Sequence, residues 1–268
     1  MSELFKGTNV TKSFATPFGR QVILKGTNMK VDEGSINALI GESGGGKTTL
    51  CRILMGLETV DSGSMYLRGK EVGGIRRRSF AECADIQYIF QDPYASLADE
   101  ATVMSTLSEP VRLCKRNHRD YFAIDEALAL VGLSVEEFGH RKIKTLSGGQ
   151  RQKIAIARAL ITRPQIIIAD ECTSMLDESS SNEMNSIFRR LNKLFGISFI
   201  IVTHNKKTLF DLCTFVYVLH QGEIVEAGPR EEVLNSPKAE YTRQYLKCML
   251  NIEGRADIEQ DSVCKFND

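Results

Sequence analysis

Apolar positions change their period several times along the chain, and each change marks an element. In the first third, short apolar runs at 22–24, 28–31, 36–40 and 65–67 are set off by Gly26, Gly34, Gly63 and Gly69, the rhythm of strands and turns. One stretch breaks that rhythm. Leu50, Ile53, Leu54 and Leu57 recur at helical spacing and predict a helix over 47–57. The run 86–90 predicts another strand. From 93 to 147 the character shifts, with helical spacing at 102–114, 121–131 and 135–138 and almost no strand signal, so a helical insertion is expected. Alternation then returns as helix 148–161, strand 165–169, helix 179–194, strand 198–202 and helix 206–212. A hairpin of 215–219 with 223–226 follows, turning at Gln221-Gly222. Strands alternating with helices predict a mostly parallel α/β sheet covered on both faces.

Composition adds exclusions. Of 268 residues, 42% are hydrophobic and 25% charged, enough to bury a substantial core. Lys plus Arg and Asp plus Glu both total 34, so no nucleic-acid partner is expected from charge. The longest apolar runs, 195–202, 216–219 and 166–169, fall far short of the ~20 residues of a spanning helix. Residues 1–14 mix polar and charged types, without the apolar centre of a signal peptide. The chain is therefore expected in the cytosol unless another protein holds it at a membrane. The seven cysteines are odd in number and include no CxxC pair, which argues for reduced thiols and against a disulfide framework or zinc site.

Three segments carry chemistry. Gly41-Glu42-Ser43-Gly44-Gly45-Gly46-Lys47-Thr48 fits G-x-x-x-x-G-K-[ST] between an expected strand and an expected helix. Glycines let successive N–H groups face one phosphate, and the helix N-terminus adds partial positive charge. Lys47 would reach the β- and γ-phosphates of a nucleotide, and the Thr48 hydroxyl would ligate Mg2+. The apolar run 166–169 ends in Asp170-Glu171, at the strand edge where open α/β sheets bind ligands. Asp170 is suited to hold Mg2+ through water, and Glu171 to polarise an attacking water. Leu146-Ser147-Gly148-Gly149-Gln150 opens a second helix, with Ser147 as a natural N-cap. It is also a second potential anion site. One nucleotide needs one cradle at its terminal phosphates, so this one is expected to serve a nucleotide held by another chain.

In this order, the loop 41–48, Gln91, Leu146 to Gln150, Asp170-Glu171, Ser174-Met175-Leu176-Asp177 and His204 resemble the ATP-binding cassette ATPases over about residues 5–250. The resemblance implies a P-loop NTPase core, an N-terminal antiparallel β-subdomain and a helical insertion, with ATP and Mg2+ as ligands. It implies one ATPase domain over 1–250, a helical subdomain at about 93–147 and a polar, frayed tail at 251–268. Two cassettes would pair head to tail around two ATP molecules, the second being the same or a related chain. Carried over by position, Gln91 would touch Mg2+ and the attacking water, Glu171 would be the general base, and His204 would contact the γ-phosphate. Thr48, Gln91 and Asp170 would form the metal site. Thr49 would join the phosphate cradle, Phe14 would stack on adenine, and Ser147, Gly148, Gly149 and Gln150 would meet the partner's nucleotide. Asp177 would link the two sites across the pair.

Within the family, Phe90-Gln91-Asp92-Pro93-Tyr94-Ala95-Ser96-Leu97, Asn235-Ser236-Pro237 and Tyr241-Thr242-Arg243 are similar to the peptide and nickel importers. That implies ATP hydrolysis coupled to uptake of peptides, nickel or metal–ligand complexes. The partners would be transmembrane permeases and, indirectly, an extracellular or periplasmic binding protein, and the chain would be peripheral on the cytoplasmic face. Gly45, Cys172, Met175 and Asn205 stand where the family usually has Ser, Pro, Ala and Asp. The cysteine-rich extension of many peptide-importer ATPases has no counterpart beyond Cys248 and Cys264, so no iron–sulfur cluster is expected. The alternative is a non-transport cassette acting on ribosomes or nucleic acid. Such proteins usually carry two cassettes or a long coiled coil, and only 92–145 separates Gln91 from Leu146 here.

Overall fold

The computed structural model describes residues 2–174 and 176–251; Met175 and the tail expected at 252–268, Cys264 included, lie outside the described residues. Two sheets form. The first is antiparallel, built from β1 (Glu3–Thr16), β2 (Gly19–Asp32), β4 (Ser62–Leu67) and β5 (Lys70–Glu71) in the order β2-β1-β4-β5. The second holds β3 (Ile36–Ile40), β6 (Ile86–Ile89), β7 (Ile166–Asp170), β8 (Ser198–Val202), β9 (Phe215–His220) and β10 (Glu223–Pro229). Its order is β10-β9-β3-β8-β7-β6, parallel throughout except for the β9–β10 hairpin.

Helices cover this sheet: α1 (Lys47–Leu54), α2 (Phe80–Asp85), α3 (Pro93–Ser96), α4 (Val103–Arg116), α5 (Ile124–Leu130), α6 (Val135–Phe138), α7 (Gly148–Ile161), α8 (Glu178–Phe195), α9 (Lys206–Asp211), α10 (Arg230–Asn235) and α11 (Glu240–Asn251). The helices α3 to α6 occupy the stretch read as an insertion. Strands β3, β7 and β8 are buried at every position, as a sheet covered on both faces requires. Alternate residues feed two cores. Ile36, Ala38, Ile40, Ile167, Ala169, Phe199 and Ile201 pack with the insertion, α7 and α8. Leu39, Ile166, Ile168, Ile200 and Val202 pack with α1 and the antiparallel sheet.

The strand β1 answers to none of the apolar runs in the sequence. Its pairing with β2 slips at several points, among them between Gly7 and Val10, so its buried residues Leu4, Phe5, Gly7 and Val10 break strict alternation. The runs 22–24 and 28–31 are one strand, β2, rather than two. Val10 faces Thr27 and Thr11 faces Lys25, leaving Gly26 unpaired at a bulge with φ +85°. The helix expected to reach Leu57 stops at Leu54, because Gly56 adopts φ +77° and donates to Ile53 O. The helix expected over 121–131 starts only at Ile124. Among the described residues no helix is long and apolar enough to cross a membrane.

Candidate functional site

The carboxyl ends of β3, β7, β8 and β9 meet at one edge of the large sheet. Leaving β3, the chain passes through Gly41 at φ +145°, where a Cβ would sit 2.0 Å from the carbonyl oxygen of Leu219 on β9. Only glycine fits that approach. Gly44 and Gly46 also hold positive φ, and Gly46 enters α1 with no side-chain cap, so the first-turn N–H groups stay available for an anion. Gly45, in contrast, has ordinary φ. A Cβ there would lie 3.2 Å from Glu42 O, so the more usual Ser would need a small shift.

Lys47 Nζ donates to Gly41 O at 2.8 Å and Glu42 O at 2.7 Å, folding back over its own loop. Burial lowers its pKa, while the carboxylates of Glu171, Asp170 and Glu42 act in the opposite sense. Thr48 Oγ1 donates to Asp170 Oδ2 at 3.1 Å, and the Tyr88 hydroxyl donates to the same oxygen. Tyr88 reaches it from β6 and was not among the residues expected at the site. Burial above all, then Cys51 and Asp170, push its phenol pKa far up, so it remains a donor.

Glu171 follows β7 in the left-handed region, with φ +47°. Val202 O accepts from its N–H at 3.0 Å, while Ser174 donates to its carbonyl from both N (3.0 Å) and Oγ (2.8 Å). Three bonds thus fix the unfavourable backbone and aim the side chain off the sheet edge. Gln91 Nε2 donates to Glu171 Oε2 at 3.0 Å, and His204 Nδ1 lies 3.9 Å from Oε1. That imidazole holds the Glu171 carboxyl below the usual carboxylate range, and Glu171 in turn raises the His204 pKa. Asn205, beside His204, caps α9 by accepting from Thr208 N, which an Asp would do equally well. Cys172 is buried, and burial pushes its thiol up to about 12, so it is no nucleophile.

The second cradle is a separate feature at the start of α7. Ser147 Oγ accepts from Gln150 N at 3.3 Å, and Gln150 Oε1 accepts from Ser147 N at 3.0 Å, a reciprocal cap. Asp177 caps α8 likewise, accepting from Ser180 N at 2.8 Å and Ser180 Oγ at 2.9 Å. The two caps adjoin, since a Cβ on Gly149 would lie 3.4 Å from Ser180 Oγ. Phe14 lies on the β1–β2 hairpin, which backs Gly46 through Ile23; its ring is half-exposed, with Lys12 Nζ 5.0 Å from the centroid. Phe18 is fully exposed.

His220 has no clear mark in the sequence, yet its Nδ1 lies 2.8 Å from Glu42 Oε1. Strand order is the signal that finds it. Because β9 neighbours β3 in parallel, its carboxyl end must emerge beside the loop that follows β3.

Comparison with known proteins agrees with this geometry. The ABC transporter family model matches residues 24–174. The methionine import ATP-binding protein MetN of Cutibacterium acnes is 34% identical over 260 residues, covering 95% of this chain and 70% of the relative. The oligopeptide transport ATP-binding protein OppF of Lactococcus lactis is 32% identical over 248 residues, covering 88% and 77%. Among solved structures, CbiO1 of Clostridium perfringens, part of the transporter complex cbiONQ, superposes with a TM-score of 0.75 at 27% identity, covering 88% of this chain and 92% of that one. The ATP-binding cassette MJ0796, a dimer bound to ADP and Pi after hydrolysis, gives 0.72 at 27% identity over 85% of this chain and 99% of that one.

Proposed function

Since the chain belongs to the ABC transporter ATPases, we propose that it powers an importer by hydrolysing ATP between two paired cassettes on the cytoplasmic face of a membrane. The observation that carries this reading is the convergence of Lys47, Thr48, Asp170 and Glu171, with Gln91 and His204 on Glu171, at one sheet edge. The loop 41–48, Thr49 included, cradles the phosphates. Lys47 exchanges its two carbonyl partners for the β- and γ-phosphate oxygens. Thr48 and Asp170 offer a hydroxyl and a carboxylate 3.1 Å apart, hard oxygen donors that suit Mg2+, and the Gln91 amide would join them. Bound there, Mg2+ would neutralise charge on the phosphates.

Glu171 takes the proton of the attacking water, oriented by Gln91 and His204. With its pKa raised by Glu171, His204 keeps its proton to higher pH and can donate toward the γ-phosphate. Ser147, Gly148, Gly149 and Gln150 serve the nucleotide of the second cassette, Asp177 links the two sites, and Phe14 stacks on adenine. In a pair of identical chains the same residues would be used twice, once from each chain.

The second cassette is a copy of this chain or a related ATPase, and both would sit beneath separate permeases served by a binding protein outside the cell. Names of the relatives support methionine or oligopeptides as cargo; nickel or a metal–ligand complex rests only on the resemblance of segments 90–97, 235–237 and 241–243. Glu171→Gln is expected to keep ATP binding and lower turnover by at least about a hundredfold, the scale of a lost general base. Lys47→Ala should instead lose ATP binding. Turnover near the parent value in Glu171→Gln would remove Glu171 from its role. Uptake of labelled methionine, oligopeptides and nickel by cells lacking this chain separates the cargoes.

A further inference from the structure

The phosphate loop is held from outside the motif. Glu42, its second residue, has both its backbone polar groups engaged. Its N–H donates to the Tyr241 hydroxyl at 3.0 Å, and its carbonyl accepts from Lys47 Nζ at 2.7 Å and Gly45 N at 3.3 Å. His220 Nδ1, out of reach of solvent, stands 2.8 Å from its carboxylate, close but not aligned for a hydrogen bond. Tyr241 and His220 also hold each other, their rings stacked with centroids 3.7 Å apart and planes 21° apart.

Tyr241 is delivered by α11. Glu226 on β10 accepts from Lys238 N at 2.8 Å and Ala239 N at 3.0 Å, tying the entry of that helix to the β9–β10 hairpin. Inside α11, Thr242 and Leu246 are buried. The hairpin grips the loop directly as well, since Gly222 N donates to Gly45 O at 3.2 Å. The anchoring residues His220, Gly222, Glu226 and Tyr241 all lie beyond the family-matched segment 24–174.

We propose that Tyr241 and His220 are positioning residues for ATP binding: the Tyr241 hydroxyl pins the Glu42 N–H, the stacked His220 ring fixes Tyr241 beside it, and together they keep the phosphate loop shaped for its ligand before the nucleotide arrives. Neither residue touches the reacting atoms. Their effect is to lower the ordering cost of binding, because a loop already shaped for its ligand loses less freedom when the ligand comes. Lys47 adds to the need for such an anchor. When it swings to the phosphates, Glu42 O loses its shortest bond, and the Tyr241 and His220 contacts remain to hold the residue in place.

This inference rests on the reading of loop 41–48 as the ATP site, so its test separates the two. Tyr241→Phe keeps the stacked ring and removes only the hydroxyl; Tyr241→Phe with His220→Leu also removes the imidazole that stacks on it and faces the Glu42 carboxylate. Equilibrium titration of the full chain with a fluorescent ATP analogue, with Lys47→Ala alongside, gives affinity. Steady-state hydrolysis gives KM and kcat separately, and thermal unfolding monitors the fold. Tyr241→Phe should weaken ATP binding about three- to tenfold, the worth of one hydrogen bond. The double variant should weaken it further. KM should rise in step, with kcat and the unfolding midpoint close to the parent. A merely structural role would lower the midpoint and the active fraction while KM stayed put, and that result overturns the proposal. So does unchanged affinity in the double variant while Lys47→Ala loses binding. Unchanged binding in Lys47→Ala would instead overturn the ATP-site reading, and the positioning role with it.

Discussion

Glu171 holds a conformation that a side chain with a Cβ adopts at a cost of about 1 kcal/mol or more. At φ +47° it is fixed by Val202 and Ser174, so a glutamate there has a backbone cost that the proposed role as general base would account for. Glu171→Gly should therefore be more stable than Glu171→Ala by about 1 kcal/mol in denaturant unfolding, though both abolish turnover. Equal midpoints would mean that the backbone stores no strain. The facing imidazole adds a pH dependence. Because the folded Glu171 pKa lies below its ordinary 4.5, its contribution to stability is present above the unfolded value and fades as pH falls through the depressed one. His204 works the other way. Raised above 6.5, it contributes fully below the unfolded value and loses that contribution as pH rises through the folded one. In His204→Ala the Glu171 carboxyl should return toward 4.5, moving the acid limb of the pH–rate profile upward. An unmoved limb would show that the imidazole is not what depresses it. Of these residues, Lys47 and Thr48 were legible as part of the 41–48 motif, and Asp170 and Glu171 as the acidic end of an apolar run. Tyr88 and His220 were not, because each reaches the site from another strand and nothing in its own neighbourhood marks it.

Among the elements, α7 combines two roles that one substitution can confuse. Ser147 is the cap of the helix and, in the proposed pair, the group offered to the partner's nucleotide. Ser147→Arg should block hydrolysis and leave ATP affinity of the isolated chain unchanged. It also removes the cap, at about 1 kcal/mol. Ser147→Asp keeps a capping side chain and sets a negative charge where a γ-phosphate must come, so it should block hydrolysis with α7 intact. Loss of isolated-chain binding in Ser147→Asp would place both cradles on one nucleotide. The parallel strands β3, β7 and β8 were legible from their apolar runs, since both faces are buried and the pattern needs no alternation. In the antiparallel sheet the run 65–67 marks β4, but β1 and the length of β2 were not legible that way. Bulges at Gly26 and between Gly7 and Val10 shift the period, and that hides β1 altogether and splits β2 in two.

Across the whole molecule, the caps of α7 and α8 form one surface through Gly149 and Ser180, distinct from the loop after β3. If that surface closes on a second cassette, hydrolysis per chain should rise steeply with protein concentration, while ATP binding does not. A flat concentration dependence would point to a site complete within one chain. The sheet order has a consequence in time as well. Strand β3, made early, takes both its neighbours, β8 and β9, from the last third of the chain. Pairings this distant in sequence form late. While the ribosome is still working toward Leu219, the glycine-rich loop has no wall against Gly41. A chain broken off before that point carries the whole motif and cannot shape it.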